Sequence, residues 1–222
     1  MLYTQTVEAG TLDLIKKLMA DNTLNSFFLV GGTALSLMIG HRISIDIDLF
    51  TDSDFDSALV KKHLQEKYNI TREKIIANGV FGFIDKIKTD LISHQYSLLE
   101  PLQVIDGIRM TSIEDIAAMK LHAIVNSGNR LKDFVDLYYL LEHLPFETIA
   151  KGYTLKYPGT TYEIARAAVT YFDDIDHSVP VKLTNDTLNW KNMQKRIKQA
   201  TIFPSQRFRP SHSHNSRKGL KP

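Results

Sequence analysis

With 222 residues, 43% of them hydrophobic and 23% charged, the chain has the composition of an ordinary folded protein, and its length suits one domain with an appendage or two small domains. It contains no cysteine, which excludes disulfides, thiolate metal sites and cysteine nucleophiles. The net charge of +2 is unevenly distributed: nine Lys or Arg residues and no acid follow Asp186, so an acidic body carries a basic C-terminal segment.

The first 110 residues mix the sequence patterns of helices and strands. Apolar residues at helical spacing, short apolar runs and alternation of apolar and polar residues mark the individual elements. In chain order these are a helix over residues 11–20, a strand over 26–30, a helix over 33–39 closed by Gly40, a strand over 45–50, a helix from a capping box at Ser53 and Asp56 to Lys67, and strands at IIAN, VFGFI, KIKTDLI and the run that ends at Met110.

The rest of the chain is predicted to be mostly helical. Ser112, with Asp115 three residues later, predicts the cap of a helix that the sequence SGN at 127–129 ends. Another helix follows over 130–142. Further along the chain, TTYEIARAAVTYF and NWKNMQKRIKQA also have helical patterns.

These patterns predict an α+β fold, with a core of mixed sheet and flanking helices over residues 1–111 and a helical C-terminal part over 112–200. The basic tail over 201–222 fits two interpretations, a solvated and disordered end or a segment that contacts the phosphates of a polyanion. The N-terminus lacks the pattern of a signal peptide, and no apolar run approaches the roughly 18 residues of a membrane span. We therefore expect a cytoplasmic protein without a membrane partner.

Asp46 and Asp48 are the strongest chemical signal in the sequence. In a strand, residues i and i+2 project from the same face, so the two carboxylates point together while Ile45, Ile47 and Leu49 point into the core. Two adjacent carboxylates repel each other unless a cation lies between them, and oxygen ligands of this kind suit Mg²⁺. The alternative is an exposed strand face with two solvated acids.

Gly31 and Gly32 follow a predicted strand and open a helix, where backbone N–H groups and the helix dipole favour a phosphate. The alternative is a plain tight turn, and neither a GxxxxGKS nor a GxGxxG motif is present. However, the order strand, GGT, helix, Arg42 and a DxD strand brings a phosphate cradle next to a metal pair. Phosphoryl transfer needs that combination.

The segment LVGGTALSLMIGHRISIDIDLF resembles the first motif of the AbiE-type toxins, the nucleotidyltransferase-like components of bacterial abortive-infection and type IV toxin–antitoxin systems. KIKTDLI resembles the second motif of that family, and IEDIAAMKLHAI and RLKDFVDLYYLL resemble the third and fourth, so the resemblance covers roughly residues 25–143. It implies a polymerase-beta-like fold and transfer of a nucleotidyl group from a nucleoside triphosphate (NTP) with Mg²⁺, or Mn²⁺ as the alternative. It also implies a winged-helix antitoxin as partner.

The chain departs from the family pattern in two respects. It is shorter than many such toxins, which leaves open how the acceptor is recognised. Gly31-Gly32-Thr33 stands where the wider superfamily has Gly-Ser, which leaves open the serine contact to phosphate.

Asp90 is the candidate for a third carboxylate. In KIKTDLI, Lys86, Lys88, Asp90 and Ile92 share one strand face, and the resemblance puts this strand next to the DxD strand. Asp90 would then hold a metal ion that lowers the pKa of the attacking hydroxyl, or accept its proton. The alternative is a surface ion pair between Lys88 and Asp90, and Asp85 is a rival acid that we expect in a turn.

Lys120 falls inside the apolar stripe of the helix that follows Ser112, so its ammonium needs an anionic partner. That partner is either the triphosphate or Asp133 on the next helix, unless the amine extends to solvent. Asp133 and Asp136 share one helix face and are expected to point into the protein. The alternative for both is local pairing, of Arg130 with Asp133 and of Lys132 with Asp136.

The sequence thus predicts an enzyme that transfers a nucleoside monophosphate from an NTP to an acceptor, RNA such as tRNA or a protein, as the toxin of a toxin–antitoxin or phage-defence system. The alternative is a module of the same fold that binds nucleotide or RNA without turnover.

We interpret five residues as packing residues: His122, which we expect to face away from Lys120, and Tyr138, Tyr139, Phe27 and Phe28. The predicted catalytic residues are Asp46, Asp48, Asp90, Lys120 and Asp133; the predicted nucleotide ligands are Gly31, Gly32, Thr33, Arg42 and Lys120; the predicted metal ligands are Asp46, Asp48 and Asp90.

Overall fold

A mixed sheet of seven strands forms the centre of the first half of the chain in the computed structural model, which describes residues 1–184 and 188–209. The strands lie side by side in the order β3-β4-β5-β2-β1-β7-β6. The β2–β5 and β1–β7 pairs are parallel, and the other neighbouring strands are antiparallel. The strands are β1 (Phe28–Leu29), β2 (Ile47–Thr51), β3 (Thr71–Ile76), β4 (Gly79–Ile84), β5 (Ile87–Ser93), β6 (Gln103–Ile105) and β7 (Ile108–Met110).

Helices flank the sheet and make up the second half of the described chain. The central helix α4 contacts four of the others, α2, α5, α6 and α7. The helices are α1 (Ala9–Met19), α2 (Gly31–Ile39), α3 (Ser57–Tyr68), α4 (Ile113–Ser127), α5 (Leu131–Leu140), α6 (Phe146–Lys156), α7 (Tyr162–Thr170) and α8 (Trp190–Ile202). The predicted α+β architecture is therefore confirmed.

Local sequence signals explain where several helices begin and end. Ser112 Oγ accepts the backbone N–H of Asp115 at 3.0 Å and caps α4, as the sequence predicts. Gly40 ends α2 in the left-handed conformation, with φ of 74°, which glycine adopts without strain. The predicted capping box at Ser53 is wrong, because Asp56 itself is the N-cap of α3 and accepts the N–H groups of Ala58 and Leu59.

The strand that carries the two aspartates begins later than predicted. β2 starts at Ile47, so Ile45 and Asp46 lie in the segment that leads into it. Ile45 is 60% exposed, and the prediction that it points into the core is wrong. Ile47 and Leu49 are fully buried, as expected from their position on the opposite face to Asp48.

One hydrophobic core runs through the sheet and the helices. It includes Phe27, Tyr138 and Tyr139, as predicted for these aromatic residues, and Phe28 is buried as well. The segment after α8 returns to this core: the backbone N–H of Glu147 donates to the carbonyl of Pro204 at 2.9 Å, and Phe208 packs on the core.

The segment just beyond residue 200 is therefore packed on the rest of the chain. The rest of the predicted tail, residues 210–222, lies outside the described residues. Within the described residues, none of the helices combines the length and the apolar character needed to cross a bilayer.

Candidate active site

Three aspartates lie close to one another, two on the neighbouring strands β2 and β5 and one in the segment that leads into β2. β2 and β5 pair in parallel with Asp48 directly opposite Asp90, so the two Cα atoms are one strand spacing, about 4.8 Å, apart. Asp46 precedes Asp48 by two residues and is about one-third exposed. Asp48 is half-buried and Asp90 is buried. The structure thus brings together the three carboxylates that the sequence singled out.

The electrostatics of this cluster favour a cation. Burial raises the pKa of the Asp48 carboxyl above its ordinary value, and the negative charges of Asp90 and Asp46 add to the rise, although Lys88 and Lys120 oppose it. Lys88 donates to Asp90 Oδ2. Burial alone would lower the pKa of Lys88, but the hydrogen bond to Asp90 and the charges of all three aspartates raise it.

A divalent cation fits the donor atoms of this cluster. Asp90 Oδ1 is buried and has no hydrogen-bond partner, and carboxylate oxygens are the ligands that Mg²⁺ prefers. Among the residues that the structure describes, no group of three or more His, Asp or Glu side chains could hold a metal ion as they are now arranged. In this conformation the Lys88 ammonium, half exposed, supplies the positive charge at Asp90.

The glycine turn lies directly against the aspartates. Gly31 has φ of 70°, and a Cβ atom built on it would lie 2.8 Å from Asp48 Oδ2. A Cβ on Gly32 would lie 2.1 Å from Arg42 Nη2, so a side chain at either position would displace a charged group of the site. Both glycines are therefore required by the close approach of Asp48 and Arg42.

The first turn of α2 offers backbone donors to the same space. Its N-cap is Val30, which makes no side-chain cap hydrogen bond, so the first N–H groups of the helix are not satisfied in this way. Thr33, in contrast, has a buried hydroxyl that lies 2.9 Å from Ser44 Oγ and donates to the carbonyl of Asp46. Its side chain therefore fixes the segment leading into β2 and does not face the cavity.

Asp136 is the hub of a buried ionic network beneath the site. It accepts Arg42 Nε at 2.6 Å and Nη2 at 3.0 Å, lies 2.6 Å from Lys120 Nζ, and accepts His41 Nε2 at 2.7 Å. Burial alone would raise the pKa of Asp136, but the charges of Arg42 and Lys120 hold it well below its usual range. Burial lowers the pKa of His41 despite the neighbouring carboxylate, so the imidazole is neutral and donates through Nε2.

Lys120 and Asp133 are paired with each other, as one of the interpretations of Lys120 required. Lys120 Nζ donates to Asp133 Oδ1 at 2.9 Å, and Arg130 Nε donates to Asp133 Oδ2 at 2.7 Å. The expectation that Lys120 is turned inward is confirmed by its 7% exposure. The alternative pairing of Lys132 with Asp136 is wrong, because Asp136 is occupied by the buried network and Lys132 lies 3.8 Å from Asp46 instead.

Two cavities meet at this cluster. The first, about 290 Å³, contains most of the predicted site and also Phe50, Ile92, His94, His122 and Tyr157. The second, about 590 Å³, lies between the segment leading into β2, the start of α5 and residues 176–182. The residues that line both cavities are Arg42, Ser44, Asp46, Arg130 and Lys132.

Some of the predicted site residues line the first cavity and others do not. Gly31, Gly32, Arg42, Asp46, Asp48 and Lys120 line it. Three others, Thr33, Asp90 and Asp133, are buried and are not among the residues that line it. His122 also lines the cavity, and its ring stacks on that of Tyr157, which agrees with its interpretation as a packing residue.

Sequence patterns missed several residues of the site. His41 carries no motif of its own, and only the structure brings it to Asp136. Arg130 pairs with Asp133, as one alternative expected, whereas Lys132 lies near Asp46; the place of these two cations in the cavities was not predicted. Lys156 is completely buried and pairs with Asp115 at 2.8 Å. Its position among the buried residues of α6 was the one signal of this ion pair, because a lysine within an apolar helix face needs a buried acid as partner.

The comparisons with known proteins agree with this geometry. The chain matches the family described as "Nucleotidyl transferase AbiEii toxin, Type IV TA system" over residues 13–97 and 81–207. An uncharacterised protein of Aquifex aeolicus is 31% identical over 173 residues, which cover 75% of this chain and 84% of the relative.

Two solved structures from Helicobacter pylori share the fold. A putative nucleotidyltransferase superposes with a TM-score of 0.54 at 17% identity, over 89% of this chain and 96% of that one. The protein JHP933 superposes with a TM-score of 0.53 at 16% identity, over 90% and 93% of the two chains. The chain therefore belongs to the AbiEii family of type IV toxin–antitoxin systems and is a nucleotidyltransferase of the polymerase-beta-like fold, as its motifs predict.

Proposed function

We propose that this nucleotidyltransferase moves a nucleoside monophosphate from an NTP to a hydroxyl group of RNA, such as tRNA, in a reaction that needs Mg²⁺. A protein hydroxyl is the alternative acceptor. The observation that carries the proposal is the register of β2 and β5, which sets Asp48 opposite Asp90, with the Gly31-Gly32 turn against Asp48 on the other side.

Asp46, Asp48 and Asp90 would hold the metal, with Mn²⁺ as the alternative to Mg²⁺. When bound, a divalent ion supplies positive charge that stabilises the phosphoryl oxygens and lowers the pKa of an attacking hydroxyl. The raised pKa of Asp48 and the unpartnered oxygen of Asp90 support this assignment, because a cation relieves both.

The triphosphate is assigned to the first turn of α2 and to the half-exposed cations at the start of α5. The uncapped N–H groups at Gly31 and Gly32 favour phosphate oxygens. Arg130 and Lys132 line both cavities and are 50% and 41% exposed, so they reach a ligand without breaking the buried network. Arg42 and Lys120 are both held by Asp136. We propose that they shape the phosphate cradle and add to its positive electrostatic potential.

The order of the strands supports one direction of attack. The glycine turn lies on the β1 side of β2, whereas Asp90 lies on the β5 side. We therefore assign the leaving pyrophosphate to the glycine turn and the acceptor to Asp90. The acceptor oxygen forms a bond to the α-phosphorus, the bond from that phosphorus to the pyrophosphate oxygen breaks, and Asp90 takes the hydroxyl proton.

The biological setting is inferred from the family. A type IV toxin acts beside an antitoxin, and we propose a cytoplasmic toxin of a toxin–antitoxin or phage-defence system with a separate winged-helix antitoxin. The acceptor is assigned to nucleic acid because α8 exposes Lys191, Lys195 and Lys198, which suit phosphate contacts.

The test is to incubate the protein with each labelled ribonucleoside triphosphate, Mg²⁺ and total RNA, and to follow the label on a denaturing gel. We expect label in one RNA size class, its loss without Mg²⁺, and its loss in Asp48→Asn. Label in the protein band would assign a protein acceptor. Metal-dependent binding of NTP without any transfer would favour the binding module over the enzyme and contradict the proposal.

A further inference from the structure

A cluster of aromatic rings forms one wall of the smaller cavity at the far ends of β2 and β5. We call it the aromatic wall; it consists of Phe50, His94, Tyr96, His122 and Tyr157. His122 and Tyr157 stack with ring centroids 3.8 Å apart and an interplanar angle of 6°, and Phe50 and His94 stack at 5.0 Å and 23°. All except Tyr96 line the cavity that also contains Asp46 and Asp48. None of these rings takes part in the transfer step proposed for the carboxylates.

The wall continues the strand face that carries the carboxylates. Phe50 follows Asp48 by two residues in β2, so it lies on the same face about 6.6 Å further along. Ile92 is its register partner on β5, two residues beyond Asp90. The backbone N–H of His94 then donates to the carbonyl of Thr51 at 2.7 Å, which keeps the histidine next to Phe50.

A second buried ion pair holds the wall in place. Lys156 Nζ contacts Asp115 Oδ1 and the carbonyl of Ser97, both at 2.8 Å, and so ties the end of α6 to the loop after His94. Asp115 also accepts the backbone N–H of Leu99 at 3.1 Å. Tyr157 directly follows Lys156, and its hydroxyl lies 3.2 Å from His94 Nε2. The rings are therefore arranged before any ligand binds.

Both histidines of the wall are uncharged near neutral pH. Burial lowers the pKa of His94 to about 4, helped by the charge of Lys156, and burial also lowers the pKa of His122. Uncharged rings do not recognise a phosphate as cations do. They match the faces of another flat and weakly polar ring, which stacks on aromatic side chains.

We propose that the aromatic wall is a nucleobase-stacking subsite. The inference rests on the proposed function, because a phosphate bound at the carboxylates carries its base, through the sugar, within reach of Phe50 and His122. The base belongs either to the incoming NTP or to the terminal nucleotide of an RNA acceptor, and both present the same chemistry. In either case the wall supplies affinity that depends on the base and not on the phosphates.

The test compares ligands that differ only in the base. One arm measures the affinity, with Mg²⁺ present, for each ribonucleoside triphosphate and for ribose 5-triphosphate. The other arm uses a short single-stranded RNA and the same RNA with an abasic 3′ residue. Both arms are repeated with Phe50→Leu and His122→Leu, and with Tyr171→Leu as the matched control, because Tyr171 is 52% exposed and lies outside the wall.

We expect the wild-type protein to prefer the ligand with the base by about fivefold to 150-fold in one arm, which identifies the source of the base. Phe50→Leu and His122→Leu should reduce that preference and leave the affinity for ribose 5-triphosphate unchanged, while Tyr171→Leu behaves as wild type. If the wild-type protein binds the ligands with and without the base equally well in both arms, the subsite is overturned. This result does not depend on whether the variants fold.

The same experiment separates this inference from the proposed function. Metal-dependent binding of NTP and ribose 5-triphosphate with equal affinity, together with equal affinity for the two RNAs, would leave the proposed function standing and remove the subsite. Absence of binding in both arms would overturn both.

Discussion

The negative charge of Asp48 is needed to bind a metal ion, but it lowers the stability of the metal-free fold. Because burial and its acidic neighbours raise the pKa of Asp48 in the folded chain, the folded chain binds the proton more tightly than the unfolded chain does. The resulting stability is present below the ordinary value of 3.8 and is lost as the pH rises through the folded-state pKa. At neutral pH the ionised carboxylate therefore weakens the metal-free protein.

We predict that Asp48→Asn abolishes Mg²⁺-dependent transfer and at the same time raises the melting temperature of the metal-free protein at neutral pH. The gain should be a few degrees, since about 1 kcal/mol corresponds to roughly 2–4 °C in a protein of this size. It should shrink as the pH falls through the folded-state pKa of Asp48, because the wild-type carboxyl then becomes neutral as well. Thermal unfolding as a function of pH, together with the labelling assay, measures both effects.

Asp52→Asn is the control for this substitution, because Asp52 is an exposed acid just beyond the same strand. It should leave both activity and melting temperature near wild type. A lower melting temperature for Asp48→Asn at neutral pH would show that the Asp48 charge does not weaken the fold, and retained transfer would show that Asp48 is not a metal ligand.

Lys88 is the counter-ion of the carboxylates in the metal-free protein, and it competes with any metal for them. Removing its charge in Lys88→Met should lower the stability of the metal-free protein by no more than about 0.5–1 kcal/mol, because the side chain is half exposed. The same substitution should tighten Mg²⁺ binding severalfold. A thermal-shift titration with Mg²⁺ measures both quantities.

Lys86→Met, in the turn between β4 and β5, is the matched control for Lys88, since it removes an equal and exposed charge close by. Equal Mg²⁺ affinity for Lys88→Met and Lys86→Met would show that Lys88 is not a competitor.

The buried carboxylate of Asp136 joins α5 to the segment before β2, in addition to the more exposed contact of Lys132 with Asp46. Asp136 on α5 meets Arg42 before β2 and Lys120 on α4, and all three groups are buried. We predict that Asp136→Asn lowers the free energy of unfolding by about 3–5 kcal/mol, because it leaves two buried cations with less compensation. Urea denaturation at neutral pH measures this loss.

The pH dependence of that contribution has a definite sign. The pKa of Asp136 is depressed in the folded chain, so its stabilisation is present above the ordinary value of 3.8 and is lost as the pH falls through the folded-state pKa. Asp174→Asn, which removes an exposed acid, is the control and should change stability little. A loss below about 1 kcal/mol for Asp136→Asn would show that the network is not what holds α5 in place.

The elements also show which features the sequence carries and which it does not. The cap of α4 at Ser112 and the inward position of Lys120 depend on spacing within one segment, and they were predictable. The partners of Asp136 lie 94 and 95 residues away in Arg42 and His41, and no periodicity records such a separation.

The same reason explains why the aromatic wall was not predicted. Its rings come from β2, α4, the loop after β5 and the end of α6, and each of them alone resembles an ordinary packing residue. The start of β2 was misplaced because the alternation of Ile and Asp continues through Ile45, while the strand pairing begins only at Ile47.

At the scale of the whole molecule, the end of the chain after Asp186 is rich in basic residues and contains no acid. α8 exposes Lys191, Lys195 and Lys198, while Arg196 is drawn inward to Glu142 at 2.5 Å. Three further basic residues, Arg217, Lys218 and Lys221, belong to residues 210–222. An acceptor that is a polyanion would be attracted by this end of the chain and repelled by the acidic body.

The packing of Pro204 and Phe208 determines where the chain should be cut to test this idea. A deletion from residue 201 would remove contacts with α6 and the core, whereas a deletion of residues 210–222 leaves them intact and still removes three positive charges. The shortened protein should bind single-stranded RNA more weakly, and its slope of log affinity against log salt should be shallower by about 2, since each neutralised phosphate contributes roughly 0.7. Its affinity for NTP should be unchanged.

The matched control keeps the full length and replaces Arg217, Lys218 and Lys221 with Ala. It should show the same loss of RNA affinity as the deletion if charge is the cause. Equal affinity and slope in all three proteins would assign RNA recognition to α8 and the cavity rim alone.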